Sequence, residues 1–107
     1  MNTRFQTFSE FYPFYLKEHS NKICRLFHVI GTTLVFALAI TAIYHNIPKL
    51  WLLVPLAGYG FAWVGHFFFE KNKPATFKYP LWSLMSDFKM YFQILSGKIA
   101  LDASKDN

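Results

Sequence analysis

Two stretches of this chain, Leu26 to Tyr44 and Leu50 to Phe69, contain no Asp, Glu, Lys or Arg. Each is close to the ~20 apolar residues that a helix needs to cross the hydrocarbon core of a bilayer. A soluble bundle of buried helices would need more polar faces than these runs offer. The connection between them, His45 to Lys49, is short and carries Pro48, which disfavours continuous helix. The expected fold is therefore all-α: an integral membrane hairpin of two antiparallel transmembrane helices.

Charge agrees with that reading and orients it. Only 16% of the residues are charged, against about 25% in an ordinary soluble domain, and 53% are hydrophobic. The net charge of +5 is unevenly placed. Arg4, Lys17, Lys22 and Arg25 precede the first run, Lys71, Lys73, Lys78, Lys89, Lys98 and Lys105 follow the second, and Lys49 alone lies between. This positive-inside asymmetry predicts both termini in the cytoplasm, from the inner membrane of a bacterium or the endoplasmic reticulum of a eukaryote. Anionic lipid headgroups, not nucleic acid, are the expected partners of the basic residues. No cleavable signal is expected, since the first apolar run begins only at Leu26 and no small-residue pattern follows it. Cys24 is the only cysteine, which excludes an internal disulfide or a cysteine-rich metal site.

The flanking segments read as interfacial amphipathic helices. Thr7 to Glu10 resembles a capping box ahead of the aromatic segment Phe11 to Leu16, and that helix is expected to end near His19. Ser20 and Asn21 then supply a break and a new N-cap. At the other end, Asn72 to Thr76 reads as a turn around Pro74. Pro80 opens a helix from about Leu81 to Ser96, stopped by Gly97. Leu81, Leu84, Phe88, Tyr91, Phe92 and Leu95 make its apolar face, with Ser86, Lys89 and Gln93 opposite, and the helix is expected to lie in the interface and cover the site. Asp87, flanking that face, is read as a solvated acid, with a further ligand or a partner of the ligands as the alternative. Residues 1–100 are expected to form a single membrane helical domain, followed by a disordered tail at 101–107.

Small residues let membrane helices approach closely. His28, Gly31, Thr32, Val35, Ala39 and Ala42 share one stripe of the first run, and Gly58, Ala62 and Gly65 form a small-residue face on the second, so these faces should meet. Phe61, Val64 and Phe68 should point to lipid. Tyr59, Trp63, His66 and Glu70 share a face of the second helix. An antiparallel hairpin puts His28 and His66 at one depth, and the break at Ser20 and Asn21 frees His19 to fold back towards them. His19, His28, His66 and Glu70 thus converge at the cytoplasmic mouth, leaving His45 in the opposite loop. Ionisable groups at such a depth are functional candidates that need a cation, a proton or each other.

The strings FYLKEHSNKICRLFHVIG (Phe14 to Gly31) and GYGFAWVGHFFFEKNKPATFKYPLWSLMSDF (Gly58 to Phe88) resemble the 2-hydroxy fatty acid dioxygenase family of small membrane proteins, once catalogued as a domain of unknown function. The resemblance implies an Fe(II)-dependent enzyme whose histidine ligands fall on His19, His28 and His66. Glu70 matches the acid of the same motif, as a fourth ligand or the group orienting one of the histidines. A 2-hydroxy fatty acid could chelate iron through its carboxylate and hydroxyl, leaving a position for O2, with its tail in membrane lipid. Zn(II) would accept the same ligands. Two further readings stay open: His28 and His66 as axial ligands of a haem, or a metal-free scaffold whose histidines satisfy one another.

Overall fold

In the computed structural model, which describes residues 5–73 and 78–102, helix α1 (Phe8–Glu18) begins at Thr7. The Thr7 hydroxyl accepts from the Glu10 amide, while the Glu10 carboxylate reaches back to the Gln6 amide, one residue earlier than in a full capping box. Asn21 caps the long helix α2 (Lys22–Tyr44): its side-chain oxygen accepts from the amides of Ile23 and Cys24 at 2.8 and 3.2 Å. A cap of this kind is worth about 1 kcal/mol. It starts α2 before the uncharged run does, because helix initiation follows the cap, not hydropathy. His45 closes α2, Asn46 turns the chain at a φ of 53°, and a 3-10 turn from Pro48–Leu52 leads into α3 (Leu53–Val64).

Beyond Val64 the helix widens into a π-helical turn, Gly65–Glu70, and ends at Lys71, whose φ of 63° is left-handed. Helix α4 (Pro80–Leu95) has proline in its first turn, where a missing amide hydrogen costs nothing. No strand occurs among the described residues. The expected turn around Pro74, the tail beyond Asp102, Arg4 and Lys105 lie outside them.

Two helical stretches, Lys22–Tyr44 and Pro48–Glu70, are long and apolar enough to cross a membrane, and only 17% of the apolar window in each is buried. The core helix of a soluble protein would be mostly covered. Here Leu52 is 77% exposed and Phe68 69% exposed, a surface that suits lipid.

The hairpin closes on glycine. A Cβ placed on Gly31 would stand 3.0 Å from the Ala57 carbonyl oxygen and 3.1 Å from Phe61 Cβ, and one on Gly65 would stand 3.0 Å from Cys24 Sγ. The small-residue faces therefore meet as expected, at backbone distances that only missing side chains permit. Phe61 differs from expectation. Its Cβ lies against Gly31 and its ring meets the Phe27 ring edge-on with centroids 6.1 Å apart, so the side chain is only half-exposed. Cys24 serves this packing.

Helix α4 keeps Tyr91 of its apolar face inside but turns much of the rest of that face outward. It buries Ser83, Ser86, Met90 and Tyr91 and leaves Leu81, Leu84, Phe92 and Leu95 outward. The Ser83 and Ser86 hydroxyls find no hydrogen-bond partner among the described residues, so it is the small size of these side chains, which lets α4 pack closely, and not their polarity that sets them inside. Tyr91 shares a 2.9 Å hydrogen bond with Thr33 of α2. On the α1 side, Phe11, Tyr12, Tyr15, Tyr79 and Met90 form the aromatic core that fastens α1 to α4.

Candidate metal centre

His19 caps the C-terminus of α1, His28 lies on the second turn of α2, and His66 lies on the π turn that follows α3. All three are buried, and their imidazoles converge. His19 Nε2 stands 2.8 Å from His66 Nε2 and 3.1 Å from His28 Nε2, and one ligand atom from each residue fits within 4.8 Å of the others.

The other ring nitrogens decide the protonation. His19 Nδ1 lies 2.7 Å from the Tyr15 carbonyl, His28 Nδ1 lies 2.9 Å from the Cys24 carbonyl, and His66 Nδ1 lies 2.7 Å from Asn72 Oδ1. A carbonyl oxygen only accepts, so each Nδ1 carries the hydrogen and each neutral ring presents a bare lone pair at Nε2. The Asn72 amide is oriented by Glu18, whose backbone and side-chain oxygens accept from Nδ2 at 3.1 and 3.3 Å, leaving Oδ1 for His66. Three lone pairs aimed at one point repel unless a cation lies among them. Two imidazole nitrogens at right angles about an ion, each about 2.1 Å from it, are about 3.0 Å apart, close to both short contacts. A proton is a poorer occupant. Burial, with the imidazoles of His28 and His66 beside it, holds His19 well below the usual histidine range. The donor set fits a borderline divalent ion with imidazole affinity, such as iron or zinc.

The surrounding structure builds this arrangement from ordinary local rules. The last carbonyls of α1 have no partner within their helix, which makes the Tyr15 carbonyl available to His19. Arg25 serves the same helix end: its Nε donates to the His19 carbonyl at 2.6 Å and its guanidinium also reaches the carbonyls of Leu16 and Ala100. Its fully buried side chain corrects the expectation that it faces lipid headgroups. The left-handed Lys71 folds the chain back so that Asn72 covers His66, and the Asn72 amide closes the turn on the His66 carbonyl at 3.0 Å.

Glu70 stands apart from the ligand atoms. Its carboxylate accepts from the Asn21 amide, one helical turn beyond His66. The free amides at the start of α2 attract a carboxylate. The oxygens that orient the histidines come instead from Tyr15, Cys24 and Asn72. Asp87 is not solvated: it accepts from the Tyr15 hydroxyl, and the Tyr15 ring stacks on His19 with centroids 3.9 Å apart. Burial pushes the Asp87 carboxyl up to about 7, against the opposing effect of the Tyr15 hydrogen bond. The haem reading does not fit. The rings of His28 and His66 are 5.2 Å apart, and His19 stands within 4.4 Å of both, leaving no room for a macrocycle. His45 lies exposed in the opposite loop.

Sequence reasoning missed Asn72, Arg25 and the Tyr15 carbonyl. The available signals were the spacing of Tyr15 one turn before a histidine at a helix end, and an amide residue just past the His66 helix. No curated protein and no solved structure matches the chain. A family model does, over residues 5–99, and carries the description 2-hydroxy-palmitic acid dioxygenase Mpo1-like. With its buried histidine triad and two membrane-length helices, the chain belongs to the Mpo1-like family.

Proposed function

We propose that this protein is an Fe(II)-dependent dioxygenase that cleaves the C1–C2 bond of 2-hydroxy fatty acids to give the acid one carbon shorter. The observation that carries the reading is the meeting of three Nε2 lone pairs, each fixed by an Nδ1 hydrogen committed to an oxygen. Family membership supplies the substrate class. His19, His28 and His66 would hold the ion. Bound iron would supply the redox chemistry that lets O2 react with the acid, which zinc, having none, would not.

The reaction balances without an external reductant. C1 leaves as CO2, C2 becomes the new carboxyl group, and the remaining hydrogens leave with one oxygen as water. The chain's own residues prepare the site. Asn72 holds His66 with its lone pair inward, and Tyr15 supports His19 by stacking and through its carbonyl. Glu70 acts as a positioning residue, holding through Asn21 the turn that returns His19 to the cluster. Both termini lie in the cytoplasm, where the basic residues meet anionic headgroups and draw the substrate carboxylate towards the mouth.

Protein purified in detergent without chelator should contain stoichiometric iron and consume one O2 for each 2-hydroxy acid shortened. Full turnover by protein stripped of metal would refute the reading.

A further inference from the structure

Beside the histidine cluster, between α2, α3 and α4, lies a cavity of about 320 Å³. His28, Thr32, Tyr59 and Asp87 contribute polar groups to its lining, and Val35 and Val54 belong to its apolar part. Gly58 and Ala62 line it on α3, and Val35 packs on Gly58, where an added Cβ would stand 3.2 Å from Val35 Cγ2. The hairpin register orders the lining by depth. Cys24 faces Gly65, and Gly31 faces Gly58 with its neighbours, so equal steps along the two helices bring Val35 level with Val54. His28 marks one end and Val54 the other. At a rise of 1.5 Å per residue, the path from His28 to Val35 is about 10 Å long. Carbon–carbon bonds of about 1.5 Å advance ~1.3 Å per carbon in an extended zigzag, so the groove holds about eight carbons.

We infer that this groove seats the acyl carbons next to the head group of the 2-hydroxy acid, from C3 to about C10, with the rest of the tail passing Val54 into lipid. The inference rests on the proposed reaction for the identity of the head group. The occupant follows from continuity: His28 is at once a member of the triad and a wall of the groove, so a molecule reacting at the cluster has this cavity as its adjoining apolar space. Lipid beyond Val54 is as apolar as the groove, so carbons past about C10 add little to recognition. Shorter acids leave the far end empty.

The test uses the iron-loaded enzyme in detergent with six-carbon and sixteen-carbon 2-hydroxy acids. Val54→Phe obstructs the far end, and should raise KM for the long acid roughly tenfold or more while leaving KM for the short one and the iron content unchanged. Equal changes for both acids, or none, would overturn the groove. A second measurement needs no turnover. In a Cys24→Ala background, Val54→Cys is labelled with N-ethylmaleimide without oxygen, and the sixteen-carbon acid should slow labelling several-fold where the six-carbon acid does not. Protection without turnover by the unsubstituted enzyme would keep the acyl groove and sink the reaction. Turnover without protection would do the reverse, and equal protection by phospholipid alone would make the cavity a lipid site and overturn the inference.

Discussion

Asn72 gives the sharpest test of the metal centre, because it touches no ion and yet sets the tautomer of His66. Asn72→Ala removes the acceptor 2.7 Å from His66 Nδ1 and the two donors that Glu18 receives. His66 is then left with a buried, unpaired N–H, at a cost of about 1 to 3 kcal/mol, or moves its hydrogen to Nε2, where it would block the ion. Either way the loss falls on metal binding. Partners of ligating histidines are typically worth 10- to 100-fold in affinity, which is ~1.4 to 2.7 kcal/mol. Competition with a chromophoric Fe(II) chelator under argon would measure it directly. Asn72→Asp, which keeps the acceptor but sets a second carboxylate beside Glu18, should recover most of the iron affinity while unfolding at lower denaturant. If Asn72→Ala binds iron as tightly as the unsubstituted protein while His66→Ala does not, the tautomer argument is wrong.

Three further outcomes follow from the same geometry. His19→Ala, His28→Ala and His66→Ala should each lose most iron and turnover, whereas His45→Ala, in the opposite loop, should be nearly silent; equal losses at His45 and His66 in folded protein would remove the cluster. Gly65→Ala forces a Cβ to 3.1 Å from the Cys24 backbone and should cost about 1 to 3 kcal/mol in detergent unfolding. Gly60→Ala meets nothing within 4 Å and should gain about 0.5 to 1 kcal/mol; similar values for the two would contradict the close approach. The Asp87 carboxyl is raised from 3.8 to about 7, so the folded state holds the extra proton across that window. Stability should fall as pH rises from about 4 to about 7, by at most ~4 kcal/mol, and Asp87→Asn should flatten that slope; an unchanged slope would mean that Asp87 is not the group responsible.

The parts of this molecule legible in the sequence are those governed by neighbours along the chain. The charge-free runs Leu26 to Tyr44 and Leu50 to Phe69 mark the membrane-length helices Lys22–Tyr44 and Pro48–Glu70, Thr7 and Asn21 declare the starts of α1 and α2, and Gly31, Gly58 and Gly65 mark where two helices can touch. Hairpin topology then suffices to bring His28 and His66 to one depth, and the Asn21 cap to let His19 join them. On α4 hydropathy does not mark the packed side: Leu81 and Leu95 lie at the surface while Ser83 and Ser86 lie inside, where small side chains let the helix approach its neighbours. Tertiary contacts also hid Arg25, whose charge reads as a surface residue until the carbonyls of Leu16 and His19 are placed around it.

Glu70 shows the limit most clearly. Its spacing from His66 is a property of the sequence, but its partner, the Asn21 amide, is set by where α2 begins beside the end of the second membrane-length helix. Spacing along one helix decides which residues can share a site. Which atom each side chain meets, and so which nitrogen of each histidine keeps its hydrogen, is decided only when Asn72, Tyr15 and Cys24 bring their oxygens to the rings, because a tautomer depends on a hydrogen-bond partner that the linear chain does not specify.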